Sequence, residues 1–190
     1  MPINRSLGLI LWSALSLLGV LLVYRTIAHL NALEIPPPQI AADTTLLEVG
    51  EVAPAFDLID LTGTSLSLAE QRGKVVVVDF WATWCGPCRR EMPHLQRLYQ
   101  TYADQGLTVL AISLDSQSEK VAPYISKGGY TFPVLFGNDT VQQQYGAQAL
   151  PTLYLLDRQG KVRARHVGYA SGQEITLEEE IKAALGDEGR

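Results

Sequence analysis

The chain is predicted to be an α/β protein: a mixed central sheet flanked by helices, preceded by one N-terminal transmembrane helix. Three observations carry this. From about residue 51, short buried apolar runs alternate with helical patterns, the signature of strand–helix units. Two further strands and a last helix close the chain, so the sheet must mix parallel and antiparallel pairs. Ahead of them, residues 6–24 hold nineteen positions without a charge, "SLGLILWSALSLLGVLLVY", bounded by Arg5 and Arg25. That length approaches the roughly 20 residues a helix needs to cross a bilayer.

The elements follow in order. Residues 1–30 are assigned as the membrane anchor. No small-residue A-x-A site follows the apolar run, so an uncleaved anchor is favoured over a signal peptide. Arg5 and the N-terminal amine outweigh Arg25, which favours a cytoplasmic N-terminus and an extracytoplasmic body. Residues 31–50 form a linker, stiffened by Pro36, Pro37 and Pro38 in "EIPPPQ". Residues 51–190 form the folded domain. "FDLIDLTGTSLSL" reads as a hairpin turning at Thr62-Gly63. "KVVVVDFWA" (74–82) is a strand covered on both faces, and a helix follows from Gly86 to Ala103, with Leu95, Leu98 and Tyr102 on one face. "LTVLAISL" (107–114) is a second buried strand. Residues 117–128 read as helical, "FPVLF" (132–136) as a strand, and "DTVQQQYG" (139–146) as a short helix. "PTLYLLD" and "KVRARHVG" form a hairpin around Arg158-Gln159-Gly160. A last helix opens at "SGQE", where Ser171 and Glu174 have capping-box spacing.

Composition excludes one class of partner. Residues 1–30 contain two arginines and no acid; beyond them, 13 basic side chains face 20 acidic ones. A body this acidic does not bind nucleic acid, because phosphate recognition needs clustered Lys and Arg.

The two cysteines, Cys85 and Cys88, stand in "WATWCGPCRREMP" with only Gly86 and Pro87 between them. A disulfide scaffold would scatter several pairs, and a three-residue loop constrains little chain entropy. A structural zinc site needs more ligands than His94 and His166 supply, and attached haem needs His where Arg89 stands. A peroxidatic setting is not apparent around either cysteine. Cys85 follows a buried strand and opens a helix, where free N–H groups and the helix dipole favour a thiolate. Pro87 suits the first turn, and Cys88 lies one turn on, shielded by the helix. The pattern therefore points to a redox pair. A Cu(I) chaperone using both soft thiolates, with His166 as a candidate third ligand, is the alternative.

The stretch "VDFWATWCGPC" resembles the active site of thioredoxins. The likeness continues at Pro93, which matches a helix-kinking proline, and in "ALPTLYLL", which is similar to the cis-proline segment. There the resemblance assigns Leu150 and Pro151 to the substrate groove, and "VGYASGQ" adds Gly168. "GEVAPAFDLIDLTGTSLSL", "CRREMP" and the extra "YISKGGYTFPVLFG" resemble the membrane-anchored TlpA/ResA-type thiol–disulfide oxidoreductases. The resemblance implies a thioredoxin fold with an N-terminal β-hairpin extension and an inserted segment.

It also implies roles. Cys85 attacks a client disulfide and Cys88 resolves the mixed disulfide. Asp79 is the buried acid that exchanges a proton with Cys88, although the lysine that thioredoxins place near this acid is missing from "LTVLAISLD". Trp84 and Trp81 form an apolar rim, unless Trp81 is core. Glu91 matches the subfamily's helix acid or is a solvated charge within "RRE". No cofactor is expected beyond the redox-active Cys85–Cys88 disulfide, and no metal. Expected partners are disulfide-containing clients, including apocytochrome c, and a membrane thiol donor that re-reduces a monomeric protein on the periplasmic side of the inner membrane.

Overall fold

In the computed structural model, residues 46–187 are described, together with Gly19, Leu21–Val23 and Arg25. Most of the predicted anchor and linker lies outside the described residues. Among these, no helix is long and apolar enough to cross a membrane. The segment Asp43–Arg190 forms one compact unit.

Its sheet starts from valine. β-Branched side chains fit a pleated surface buried on both faces, and Val75–Trp81 (β3) has no exposed residue. The equally buried Leu107–Ser113 (β4) pairs with it in parallel, and Val134–Phe136 (β5) extends the parallel half. On the other flank, Thr152–Leu156 (β6) and Val162–Val167 (β7) run antiparallel. The sheet order is β5-β4-β3-β6-β7, so β3 occupies the centre and its C-terminal end carries the site.

Four α-helices are found among the described residues of the unit: Gly86–Tyr102 (α1), Val121–Gly128 (α2), Asp139–Gln144 (α3) and Gln173–Gly186 (α4). One sheet face, lined by Val75, Val77 and Leu153, packs against Met92, Leu95 and Leu98 of α1, Val121 and Ile125 of α2, and Leu177 and Ile181 of α4. The opposite face, with Val76, Val78, Phe80 and Tyr154, is covered by Val141 of α3 and by the N-terminal extension through Ala53, Phe56, Leu58 and Leu68. Within that extension, Asp57–Ile59 (β1) and Ser65–Ser67 (β2) form the expected hairpin. The inserted segment is tied to α1 by Gln96, whose amide donates to Thr131 Oγ1 and accepts from the Thr131 N–H, both at 2.8 Å.

Two local expectations are corrected. Ser171 does not cap α4: its N-cap is Gly172, in the left-handed region at φ 91°. Glu174 accepts there from the Gly172 N–H and the Tyr169 hydroxyl, so the acid organises the turn rather than closing a capping box. Residues 117–128 are not one helix either. A 3-10 turn over Ser118–Lys120 precedes α2.

Candidate active site

Cys85 is the N-cap of α1, with extended backbone at φ −78° and ψ 107°. Its Sγ accepts from the Cys88 N–H at 3.2 Å, and the two sulfurs are joined in a disulfide. A sulfur held against a free amide at the positive end of a helix is a preformed seat for a thiolate. Gly86 and Pro87 form the first turn, where the missing proline N–H costs no helical bond. Further along, Pro93 lies inside α1 and cannot donate to the carbonyl of Arg89.

In the disulfide state Cys85 is 4% exposed and Cys88 is 1% exposed. What separates them is the helix: Cys85 receives an amide at its start, whereas Cys88 faces the core beneath it.

Trp84 is the rim. It is 70% exposed, directly before Cys85. Trp81 is not: it is wholly buried and packs on Tyr124, with ring centroids 5.4 Å apart. Strand alternation explains this, since Trp81 shares the α1-facing side of β3 with Val77 and Asp79. Directly before β6, the Leu150–Pro151 bond is cis. Pro151 is buried and Leu150 half-buried. The Gly168 N–H donates to the Pro151 carbonyl at 2.8 Å, at φ 76°, a region that disfavours any side chain. Pro151 and Gly168 thus form one wall.

Two carboxyls come from the elements on either side of the pair, Asp79 from β3 and Glu91 from α1. Asp79 and Glu91 are almost completely buried, so Glu91 is not a solvated charge. Asp79 Oδ1, Glu91 Oε2 and Trp81 Nε1 have no hydrogen-bond partner among the described residues. Burial pushes the Asp79 carboxyl well above its ordinary value. Burial raises Glu91 too, and the Asp79 charge raises it further. The β-ladder sets Ala111 and Leu153 beside Asp79, so neither flanking rung supplies a cation. The neighbouring titratable group is a second acid instead.

Several contributors are not legible in the sequence. The Asp115 carboxylate, beyond β4, accepts from Thr83 N–H at 2.8 Å, Thr83 Oγ1 at 2.5 Å and Ser113 Oγ at 2.9 Å. It pins the loop that presents Trp84 and Cys85. Tyr124 sits between Trp81 and the Arg89 guanidinium, the latter 6.0 Å above its ring. No spacing rule announces either contact, because each joins segments about thirty or more residues apart. His166 Nε2 lies 2.7 Å from Glu180. No group of three metal-ligating side chains occurs among the described residues, so a copper reading would rest on the two thiols alone.

A cysteine pair capping the helix after the central strand and a cis-proline just before its antiparallel neighbour, on this sheet order, define a thioredoxin-like thiol–disulfide oxidoreductase. The match to known proteins carries that class to a family: the chain belongs to the AhpC/TSA family, whose model matches residues 49–165, as a TlpA/ResA-type thioredoxin-like member. It is 39% identical over 134 residues to the thiol-disulfide oxidoreductase ResA of Geobacillus thermodenitrificans, covering 70% of this chain and 77% of that protein. It is likewise 39% identical over 132 residues to the thioredoxin-like protein YneN of Bacillus subtilis, covering 68% and 77%. Among solved structures, a Chlorobium tepidum protein assigned as the thiol:disulfide interchange protein DsbE superposes with a TM-score of 0.70. That pair is 37% identical, covering 74% of this chain and 99% of the other. The thioredoxin domain of a Bacteroides vulgatus thiol-disulfide oxidoreductase superposes at 0.65, with 32% identity and coverage of 71% and 99%. The chain therefore acts on disulfide-containing proteins.

Proposed function

We propose that the chain is a membrane-anchored, extracytoplasmic reductase that transfers two electrons to client disulfides, apocytochrome c among them, through Cys85-Gly-Pro-Cys88. The observation that carries this reading is the Cys85 sulfur seated on the Cys88 N–H at the start of α1. In the reduced protein the Cys85 thiolate attacks one sulfur of the client disulfide. The client's other sulfur leaves as a thiolate and takes up a proton. Cys88 then gives its proton to the buried carboxyl pair and attacks Cys85 Sγ. The client leaves with both sulfurs reduced, and Cys85–Cys88 closes. A membrane thiol donor returns two electrons to reopen it. Trp84 and the Pro151–Gly168 wall hold the extended client; Leu150 lines its approach.

Asp79 and Glu91 serve the second step. A carboxylate raised toward neutrality by burial accepts a thiol proton more readily than an ordinary one. The pair titrates as a unit, so one acid ionises while its neighbour stays protonated.

Placement rests on the uncharged residues 6–24 and the charge excess before them. Alkaline phosphatase fused after Arg190 is expected to be active in cells, and deletion of residues 2–30 should release the protein from the membrane fraction. A cytoplasmic, soluble full-length chain would overturn the placement. For the chemistry, the full chain with a chemical reductant should reduce insulin disulfides. Cys85→Ser should abolish turnover, and Cys88→Ser should accumulate mixed disulfides with clients. Redox titration against glutathione should give a midpoint below about −200 mV, on the reducing side. Turnover that survives Cys85→Ser would sink the assignment.

A further inference from the structure

A cavity opens along α1, beyond the reactive pair in sequence. It has a volume of about 630 Å³ and lies between α1 and the Gly168–Glu174 turn, lined by Arg90, His94, Tyr169, Ser171 and Glu174. Arg90 stands two residues after Cys88, and His94 one turn further on the same helix face. Tyr169 directly follows Gly168, whose amide is bonded to the Pro151 carbonyl. The cavity therefore continues the wall along which an extended client would run.

Its groups are unequally committed. Glu174 is engaged by the Gly172 N–H and the Tyr169 hydroxyl. That bond fixes the phenol, and the Tyr169 ring stacks on His94 at 6.0 Å and 24°. Among the described residues Arg90 has no hydrogen bond or ion pair to an acid, and its charge acts on the neighbouring Tyr169 phenol. Elsewhere Arg97, Arg163 and Arg165 reach carboxylates and Arg158 reaches two carbonyls. Arg90 is exposed and reaches neither kind of acceptor among the described residues. A guanidinium without a carboxylate partner, sharing a cavity with the stacked His94 and Tyr169 rings on an otherwise acidic body, can take a carboxylate.

We propose that this cavity is a client subsite in which Arg90 pairs with an acidic side chain a few residues from the client's cysteine. His94 and Tyr169 form the flat wall against which that side chain lies. Arg90 is a specificity-determining residue: it acts on the choice of client and takes no part in thiol exchange. The inference rests on the oxidoreductase reading, since it needs a peptide bound across Pro151 and Gly168.

The test uses the full chain and synthetic disulfide peptides that differ only in a Glu, Gln or Lys two or three positions from the cysteine. With the wild type, kcat/KM for the Glu peptide should exceed that for the Gln peptide about fivefold, and that for the Lys peptide by more. Arg90→Gln should bring the Glu and Gln peptides together while leaving turnover of the Gln peptide unchanged, and Arg90→Glu should invert the order. Arg89→Gln, which removes an equal charge outside the cavity, should leave the preference nearly intact. Equal rates on all peptides by the wild type would overturn the subsite but not the oxidoreductase. So would an Arg89→Gln variant that loses the preference as fully as Arg90→Gln, which would mark a diffuse field. Failure to turn over any peptide would overturn both.

Discussion

Asp79 and Glu91 are the residues whose chemistry is most altered by their surroundings. Each carries a carboxyl oxygen without a hydrogen bond in a nearly water-free site, and both are raised for that reason. An acid whose folded pKa lies above its unfolded value binds its proton more tightly when folded. Stability is then highest below the unfolded pKa, near 4, and falls as pH rises toward the folded one. Asp79→Asn and Glu91→Gln should accordingly stabilise the protein by about 1–3 kcal/mol at pH 7–8. The gain should disappear by about pH 4, as read by thermal unfolding across pH. The same variants should slow release of client from the mixed disulfide, with little change in the first attack by Cys85. A stabilisation independent of pH would show that the effect is packing rather than ionisation.

The helix and loops around the disulfide raise a different matter: how a thiol-bearing turn is held still. Asp115 joins the end of β4 to the β3–α1 loop through three hydrogen bonds. Asp115→Ala leaves Thr83 N–H without that acceptor and should cost about 1–3 kcal/mol. Amide exchange should accelerate at Thr83 and Trp84, while β5 and α3 stay protected. At the start of α3, the Asn138 side chain accepts from the Val141 N–H at 2.9 Å. Asn138→Ala should lower stability by about 1 kcal/mol without affecting insulin reduction. These elements also show how far local pattern reaches. The valine run of β3, the Cys85–Pro87 helix start and the hairpin at Thr62-Gly63 were legible because strand burial, capping and turn chemistry act over a few residues. The start of α4 was misread because Glu174 had a nearer demand, the Gly172 amide and the Tyr169 hydroxyl, than the reciprocal cap its spacing allowed.

Across the whole unit, one sheet serves two cores, and the N-terminal extension closes the second. Tyr145 is its hub. It packs against Phe56, Phe80 and Tyr154 at 6.0, 5.2 and 5.6 Å. Its hydroxyl donates to the Pro54 carbonyl, and its carbonyl accepts from the Tyr154 hydroxyl. The hairpin is therefore part of the folding unit. Deleting residues 46–68 should expose this aromatic face and abolish cooperative unfolding, whereas deleting residues 2–30 should leave the melting transition of the domain unchanged. Calorimetry on both variants checks this, and an intact transition without the hairpin would refute the shared core.

Local and periodic signals settle which parts of this protein exist: a sheet with helices on it, a hairpin before it and a cysteine at a helix start. They do so because propensity, alternation and capping depend on neighbours within a turn or a strand. They do not settle environment. That Trp81 is core and Trp84 rim, that Glu91 is buried beside Asp79, and that Ala111 leaves that acid without a neighbouring cation all follow from register and from α1 lying on one sheet face. Those relations join residues distant in the chain, and burial, which sets the acids' proton affinity, is a property of the assembled core alone.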